Sequence, residues 1–147
     1  GDAGLRRTAH SSEHVPAAAN TLVCLDRLGC DRIDHGYFVL EDDAVVRRCV
    51  DGEVTFTVAS TTSRRSIRPW RRASIRAMHE AGCTLSLCDD DPGMFPTTLA
   101  QEYRIAHDQI GLTPDDLARI VLNGWRACWL PDADRERRTA EVAAVLG

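Results

Sequence analysis

Four short apolar segments, each followed by a polar cluster, recur along the chain at nearly constant spacing. The polar clusters begin at His10, His35, Ser60 and Asp89, so the intervals between them are 25, 25 and 29 residues. Helical patterns separate the apolar segments, and one strand plus one helix at this repeat is the unit of a parallel β/α fold. Such folds place active sites at the carboxyl ends of their strands, where these polar clusters would lie.

The periodicity of apolar residues predicts the positions of the strands and helices. The clearest strand is VTFTVA, residues Val54–Ala59, which is rich in β-branched residues and bounded by Gly52 and the polar STTS. We predict strands at Leu5–Ala9, Asp31–Asp34, Val54–Ala59 and Thr84–Cys88, and helices at Ala17–Leu28, Asp42–Val50, Pro69–Ala81, Thr97–Ile110, Pro114–Trp125 and Asp134–Leu146. This order predicts an α/β fold in which residues 1–147 form one domain, equivalent to half of a (β/α)8 barrel with trailing helices.

Composition limits the classes of protein to which the chain can belong. Eighteen basic and 22 acidic residues give a net charge of −4 at pH 7, which argues against binding of nucleic acid or a membrane surface. No apolar run approaches the ~20 residues of a spanning helix, and the N-terminal residues lack the apolar core of a signal peptide. The six cysteines are scattered without a CxxC pair, which predicts buried thiols in a cytoplasmic protein.

The motif HSSEH, residues 10–14, combines groups that can ligate a metal with a carboxylate that can transfer a proton. It also matches H-x-x-E-H, the pattern that one class of zinc proteases carries on a helix. A strand-like segment precedes the motif and Pro16 follows it, which disfavours a helix here. The metalloprotease is therefore the less favoured alternative.

Three further segments carry polar side chains whose role the residues alone leave open. His35 ends a short strand in RIDHG, where a structural hydrogen-bonding role is the simpler interpretation. Asp89, Asp90 and Asp91 follow the apolar TLSLC; adjacent carboxylates repel one another unless a cation or ligand compensates, although turns also favour aspartate. The arginine-rich segment Arg64–Arg76 could bind a phosphate or an acidic partner, but a solvated helix face and loop is the better interpretation.

Taken together, these motifs resemble the C-terminal half of the adenosine deaminase family, the purine deaminases of the amidohydrolase superfamily. TAHSSE resembles the family's TAHAGE, RIDHGYFVLED resembles RIGHG followed by Leu-Glu-Asp, and SLCDDDP resembles SLNTDDP. The segment LTPDDLARIVLNGWRACWLP follows the same outline. The resemblance covers nearly all of the chain, with its motifs in the family's order.

The resemblance implies a (β/α)8 barrel that binds one zinc ion and deaminates a 6-aminopurine hydrolytically, giving the 6-oxo product and ammonia. It implies that His10 and Asp90 are zinc ligands and that Glu13 is the acid facing the ring nitrogen beside the reacting carbon. A carboxylic acid that burial keeps neutral could protonate that nitrogen. The resemblance also implies that His35 orients and deprotonates the attacking water, and that Asp91 binds the imidazole-ring nitrogen of the purine.

One departure from the family concerns the metal. The family's other two zinc ligands form a His-x-His pair on the first barrel strand, and this sequence contains no such pair. We therefore expect the chain to be the second half of a longer deaminase, completed by an N-terminal barrel half or self-associating through its open strand edges. The alternative is an inactive half-barrel, or a relic that binds a partner.

Smaller departures leave the identity of the 6-aminopurine open among adenosine, adenine and related compounds. Ser11-Ser12 replaces the family's Ala-Gly, and ASTTS replaces Cys-Pro-x-Ser-Asn, so that Ser63 is only a loose match. Asp34 in place of Gly resembles the branch of the family that acts on free adenine or on other 6-aminopurines.

Overall fold

Four parallel strands form a single sheet in the computed structural model, which describes residues 4–62 and 67–146. The strands are β1 (Thr8–Ser11), β2 (Arg32–His35), β3 (Thr55–Val58) and β4 (Thr84–Leu87). They lie in the order in which the chain visits them, and each neighbouring pair is parallel. Because successive strands of a (β/α)8 barrel are neighbours in this way, the arrangement confirms the predicted α/β half-barrel.

Helices connect the strands and continue beyond β4. They are α1 (Ala19–Leu22), α2 (Asp43–Asp51), α3 (Arg68–Glu80), α4 (Leu99–Ile105), α5 (Pro114–Ala127) and α6 (Asp132–Leu146), with a 3-10 turn at Val39–Glu41. All the predicted helices are present with boundaries shifted by a few residues. The residues described include no helix long and apolar enough to cross a membrane.

Three predictions of local structure were wrong in detail. The first strand was placed at Leu5–Ala9, whereas β1 begins at Thr8 and reaches Ser11, because pairing with Arg32–His35 fixes its extent. The predicted helix Ala17–Leu28 starts at Ala19 and becomes π-helical at Val23–Arg27. The predicted helix Thr97–Ile110 likewise ends as a π-helical turn, Ala106–Ile110. Apolar periodicity does not distinguish these helical forms.

Short-range hydrogen bonds fix the starts of two helices, α2 and α5. The Asp42 side chain accepts a 2.8 Å bond from the backbone N–H of Ala44 and begins α2. Thr113 and Asp116 form a reciprocal capping box at the start of α5. The bonds from Thr113 lower the pKa of the Asp116 carboxyl to about 2, so the cap stays charged at neutral pH.

The core fills the space between the sheet and the helices. Its largest apolar side chains are fully buried: Ile33, Tyr37, Phe56, Ile75, Met78, Leu85 and Ile120. Of the six cysteines, Cys24, Cys49 and Cys83 are buried and the others half-buried, and none forms a disulfide. Burial raises the pKa of the Cys49 and Cys83 thiols to about 11, which makes them packing residues rather than nucleophiles.

The turn after β2 depends on a glycine. Gly36 has a φ of +72°, and a Cβ atom placed there would lie 2.5 Å from Cε1 of the buried Phe56 ring. Both the backbone conformation and the close approach therefore exclude a side chain.

We expect Gly36→Ala to lower the free energy of unfolding by about 3 kcal/mol, from backbone strain together with overpacking against Phe56. Gly93→Ala is the control, because nothing lies within 4 Å of its added Cβ and its φ is not in the left-handed region. Urea unfolding of both variants measures the difference. Equal stabilities would contradict this account of the turn.

Candidate active site

The carboxyl ends of the strands bring together three of the side chains that the resemblance singled out. The parallel register places His10 opposite Asp34 and Ser11 opposite His35, while Asp90 follows β4 at the same end of the sheet. His35 and Asp90 adopt left-handed backbone conformations, with φ of 73° and 56°, and so does Ser12 with 50°. Such strained non-glycine residues cluster at functional sites, where the surrounding structure holds them.

Three donor groups converge at this end of the sheet. His10, His35 and Asp90 each offer one ligand atom, and these atoms lie within 4.8 Å of one another. The two imidazole rings meet edge to face, with their centroids 4.7 Å apart. Two imidazoles and one carboxylate are a donor set that zinc prefers. The predicted ligands His10 and Asp90 therefore lie together, and His35 lies close enough to serve as a third donor or to act on a bound water.

His35 is neutral in this environment. It is buried, and burial lowers the pKa of its imidazole below the usual 6.5. Its Nδ1 is 3.5 Å from the Tyr37 hydroxyl and its Nε2 is 3.7 Å from Oε2 of Glu13. A neutral imidazole can ligate a metal or accept a proton, and both roles require an unprotonated ring nitrogen.

Glu13 lies in the bend after β1, beside His35. Its Oε1 accepts a 3.0 Å bond from Nη2 of Arg71 and is 3.1 Å from Nε2 of His14. The side chain is 19% exposed, whereas that of Arg71 is completely buried. The nearest partner of the Glu13 carboxylate is therefore the buried guanidinium group of Arg71.

The arginine-rich segment is only partly the solvated face that we predicted. Arg76 is exposed and pairs with Glu80, as a solvated face requires. Arg71 contradicts the prediction, since it points inward from α3 to Glu13 and to Thr62, whose hydroxyl is 2.5 Å from Nη1. Arg64 and Arg65, together with Ser63 of the loose match, lie outside the residues that the structure describes.

Asp91 is not gathered into the cluster. Its side chain is exposed, and its carbonyl accepts 2.8 Å bonds from the backbone N–H groups of Met94 and Phe95. Within residues 4–62 and 67–146, its carboxylate makes no hydrogen bond or ion pair with His10, Glu13 or His35. It occupies the rim of the site rather than its interior.

The HSSEH motif begins in β1 and continues through four bends from Ser12 to Val15. Its two histidines therefore do not share a helix face, which contradicts the helix-borne metalloprotease alternative. His10 points to the donor cluster, while His14 is exposed beside Glu13.

Asp34 supports the donor cluster from the side. Its carboxylate accepts a 2.5 Å bond from the Thr57 hydroxyl and a 2.8 Å bond from the Thr8 hydroxyl. Its Oδ2 also lies 3.6 Å from Nδ1 of His10. A carboxylate on one ring nitrogen of a histidine orients the other nitrogen toward a metal.

Sequence reasoning missed a buried carboxylate that joins two loops of the site. Glu102 of α4 is fully buried and accepts 2.7 Å bonds from the backbone N–H and the hydroxyl of Ser60. It also accepts bonds from the hydroxyls of Thr61 and Thr97. The polar run STT after β3 was the available signal, because three small donors entering a core require a buried acceptor.

The fold and the donor set define the class of protein. A partial (β/α)8 barrel with two histidines and an aspartate at the carboxyl ends of its strands is of the amidohydrolase type. In agreement, the family model described as adenosine deaminase matches residues 1–145. The chain belongs to the adenosine deaminase family.

Curated relatives and solved structures agree with this assignment. An adenine deaminase of Caulobacter vibrioides is 32% identical over 150 residues, covering 97% of this chain and 42% of the relative. An adenine deaminase of Streptomyces coelicolor is 34% identical over 145 residues, covering 96% and 42%. The chain thus spans less than half the length of these relatives.

Two crystal structures share the fold over 99% of this chain. The adenine deaminase of Arthrobacter aurescens superposes with a TM-score of 0.86 at 28% identity, and the chain covers 45% of it. An amidohydrolase from Burkholderia ambifaria with bound zinc superposes with a TM-score of 0.82 at 25% identity, and the chain covers 43% of it.

We expect Glu102→Gln to lower the free energy of unfolding by about 3 kcal/mol, because an amide N–H₂ would face hydroxyl and N–H donors in a buried site. Glu80→Gln is the matched control, since Glu80 forms only an exposed pair with Arg76 and its loss changes stability by about 0.5 kcal/mol or less. Denaturant titration compares the two. Similar losses would show that Glu102 does not anchor these loops.

Proposed function

We propose that this chain is the C-terminal half of a zinc-dependent deaminase that hydrolyses a 6-aminopurine to its 6-oxo product and ammonia. The observation that carries the proposal is the convergence of His10, His35 and Asp90 beside Glu13. The relatives named adenine deaminase favour adenine as the purine. Asp34, which replaces the glycine of RIGHG, is compatible with adenine or another 6-aminopurine.

His10 and Asp90 are the residues that would hold zinc, and their nitrogen and oxygen donors fit the ion. When bound, zinc supplies a water whose pKa is lowered to ~7, so that a nucleophile forms at neutral pH. The amidohydrolase with bound zinc supports this choice of metal. The ligands beyond those of this chain would come from the rest of the barrel.

The side chains of this chain would perform the proton transfers. His35, neutral because it is buried, accepts the proton that the attacking water loses. Glu13 delivers a proton to the ring nitrogen beside the reacting carbon, which makes that carbon electrophilic. Once the water oxygen has bonded to that carbon, the amino group takes up the proton held by His35 and leaves as ammonia. The hydroxyl left on the ring returns its proton to Glu13 as it becomes the 6-oxo group. Asp91, exposed on the rim, accepts a hydrogen bond from the imidazole ring of the purine.

The open edges of the sheet indicate the partner. Within the described residues, β1 pairs only with β2 and β4 pairs only with β3. We infer that an N-terminal barrel half, or a second copy of this chain, pairs with these edges and that residues 1–147 fold as part of one domain with it.

The remaining properties follow from composition. The net charge of −4 favours a purine substrate over a nucleic acid or membrane partner. Six cysteines without disulfides favour a cytoplasmic location.

A non-catalytic half-barrel that binds a partner is the second candidate. One observation favours it: the 147 residues contain no His-x-His pair to complete the zinc site. The zinc content of the protein distinguishes the deaminase from the non-catalytic half-barrel, because a half-barrel that catalyses nothing does not require zinc.

We expect Asp90→Asn to lower zinc affinity by about 100-fold or more, since it removes a charged ligand. Asp89→Asn is the matched control, because the neighbouring Asp89 is not among the converging donors. A chelator competition titration of the protein with its N-terminal half measures both. If wild-type protein prepared in this way binds no zinc, the non-catalytic candidate is correct.

Replacement of Glu13 by Gln is expected to reduce deamination about 10³-fold, because an amide cannot deliver the proton that the ring nitrogen needs. Zinc content should stay at the wild-type level. The loss of ultraviolet absorbance of adenine, adenosine and AMP measures turnover and identifies the substrate, and the exposed Glu41→Gln serves as the control. Undiminished turnover would mean that another group protonates the purine.

A further inference from the structure

A completely buried arginine connects the helix after β3 to both proton-transfer residues. The guanidinium group of Arg71 donates to Oε1 of Glu13 at 3.0 Å and to the Thr62 hydroxyl at 2.5 Å. Its carbon also lies 4.6 Å above the centroid of the Tyr37 ring. Removing an arginine from water is costly unless charged or polar groups compensate, so these three contacts stabilise the guanidinium group of Arg71 in the interior.

The contact with Glu13 determines which carboxylate oxygen faces the donor cluster. Oε1 is occupied by Arg71 at 3.0 Å and by His14 at 3.1 Å. Oε2 is turned toward His35, 3.7 Å from its Nε2. Glu13 lies in a bend and has three rotatable side-chain bonds, so without an anchor its carboxylate would sample several orientations.

The contact between Arg71 and the ring of Tyr37 links Arg71 indirectly to His35. The Tyr37 hydroxyl donates to the carbonyl of Ala59 at 2.9 Å and accepts from the backbone N–H of Ala59 at 3.0 Å. Since its single proton is engaged with that carbonyl, the hydroxyl can only accept from Nδ1 of His35, 3.5 Å away. This contact favours the tautomer of neutral His35 that has its proton on Nδ1 and an unprotonated Nε2 toward the cluster.

Helix α3 holds this arrangement at a second point. The hydroxyl of Ser74, three residues beyond Arg71 and therefore on the same face of the helix, donates a 2.7 Å bond to the carbonyl of Tyr37. Both residues are buried. Tyr37 is thereby held through its ring by Arg71 and through its backbone by Ser74.

We propose that Arg71 is a positioning residue: it orients Glu13 directly and His35 through Tyr37, so that both face the donor cluster. This inference rests on the proposed deaminase function of the site. It differs from a purely structural role because the carboxylate and the imidazole that it orients are the groups that move protons.

Arg71→Gln tests the proposal in the protein joined to its N-terminal half, with adenine as the probe substrate. We expect kcat to fall about 100-fold while KM for adenine changes by about threefold or less, because orientation affects the reacting geometry more than substrate binding. Zinc content should be unchanged. Arg71→Lys keeps the charge without the second donor, and should recover about tenfold of the lost kcat.

Arg72→Gln is the matched control, since Arg72 is the next residue of α3 and donates to Gln109 away from the site. Its kcat should remain within about twofold of wild type. Values of kcat for Arg71→Gln that equal those of Arg72→Gln would overturn the proposal. A loss that Arg71→Lys fails to relieve at all would also overturn it, because charge at this position would then be irrelevant.

A second measurement does not depend on activity. Hydrogen exchange of the backbone N–H groups in residues 12–15 should be faster in Arg71→Gln than in Arg72→Gln, because the bend loses the contact between Glu13 and Arg71. If wild-type protein binds zinc but deaminates no purine, the proposed function fails. Exchange in this segment then decides the role of Arg71 separately, and equal exchange in the two variants would overturn it.

Discussion

The parallel pairing of four short strands is the constraint on which the site depends. Because successive side chains of a strand point to opposite faces, a shift of one residue in any of these four-residue strands would move all of its side chains to the other face. The observed register sets His10 beside Asp34 and Ser11 beside His35. The donor atoms meet only because β1, β2 and β4 end at the same level.

Charge balance at the carboxyl ends sets the second constraint. Two carboxylates, Asp34 and Glu13, flank the imidazoles of His10 and His35, and a buried guanidinium faces one of them. Glu13, Thr62, Ser60 and Thr97 each bond a buried charged side chain of another element, so side-chain bonds add to backbone bonds in holding the loops after β1, β3 and β4. Glu102 holds the loops after β3 and β4 together through its hydrogen bonds, and Arg71 holds the bend after β1 through its bond to Glu13.

Sequence reasoning could place the donor residues at one end of the sheet because each lies at or just after the end of a strand, whereas their roles came from the family resemblance. His10, His35 and Asp90 follow or end apolar segments, and parallel topology then requires that these ends meet. The role of Arg71 could not be found in this way, because its partner Glu13 lies 58 residues earlier in the chain. On α3 its neighbours Arg72 and Arg76 share its chemistry, and only tertiary packing decides which arginine turns inward.

Secondary structure shows the same difference between features that neighbouring residues specify and features that tertiary contacts decide. The capping box at the start of α5 depends on Thr113 and Asp116, which are three residues apart in the sequence. Helix α5 begins at Pro114, as the proline predicts. The π-helical turns at Val23–Arg27 and Ala106–Ile110 have no such local signature. The start of β1 was misplaced because its partner strand, rather than its own apolar residues, defines it.

The left-handed backbone at Ser12, His35 and Asp90 has a consequence for engineering. Glycine adopts these torsion angles without strain, although at Ser12 it would also remove the buried hydroxyl that donates to the carbonyl of Ala17. At His35 and Asp90 the same replacement would delete a donor. A screen that selects for thermostability without measuring activity could therefore lose His35 or Asp90. Mutant libraries of this chain should leave both positions unchanged.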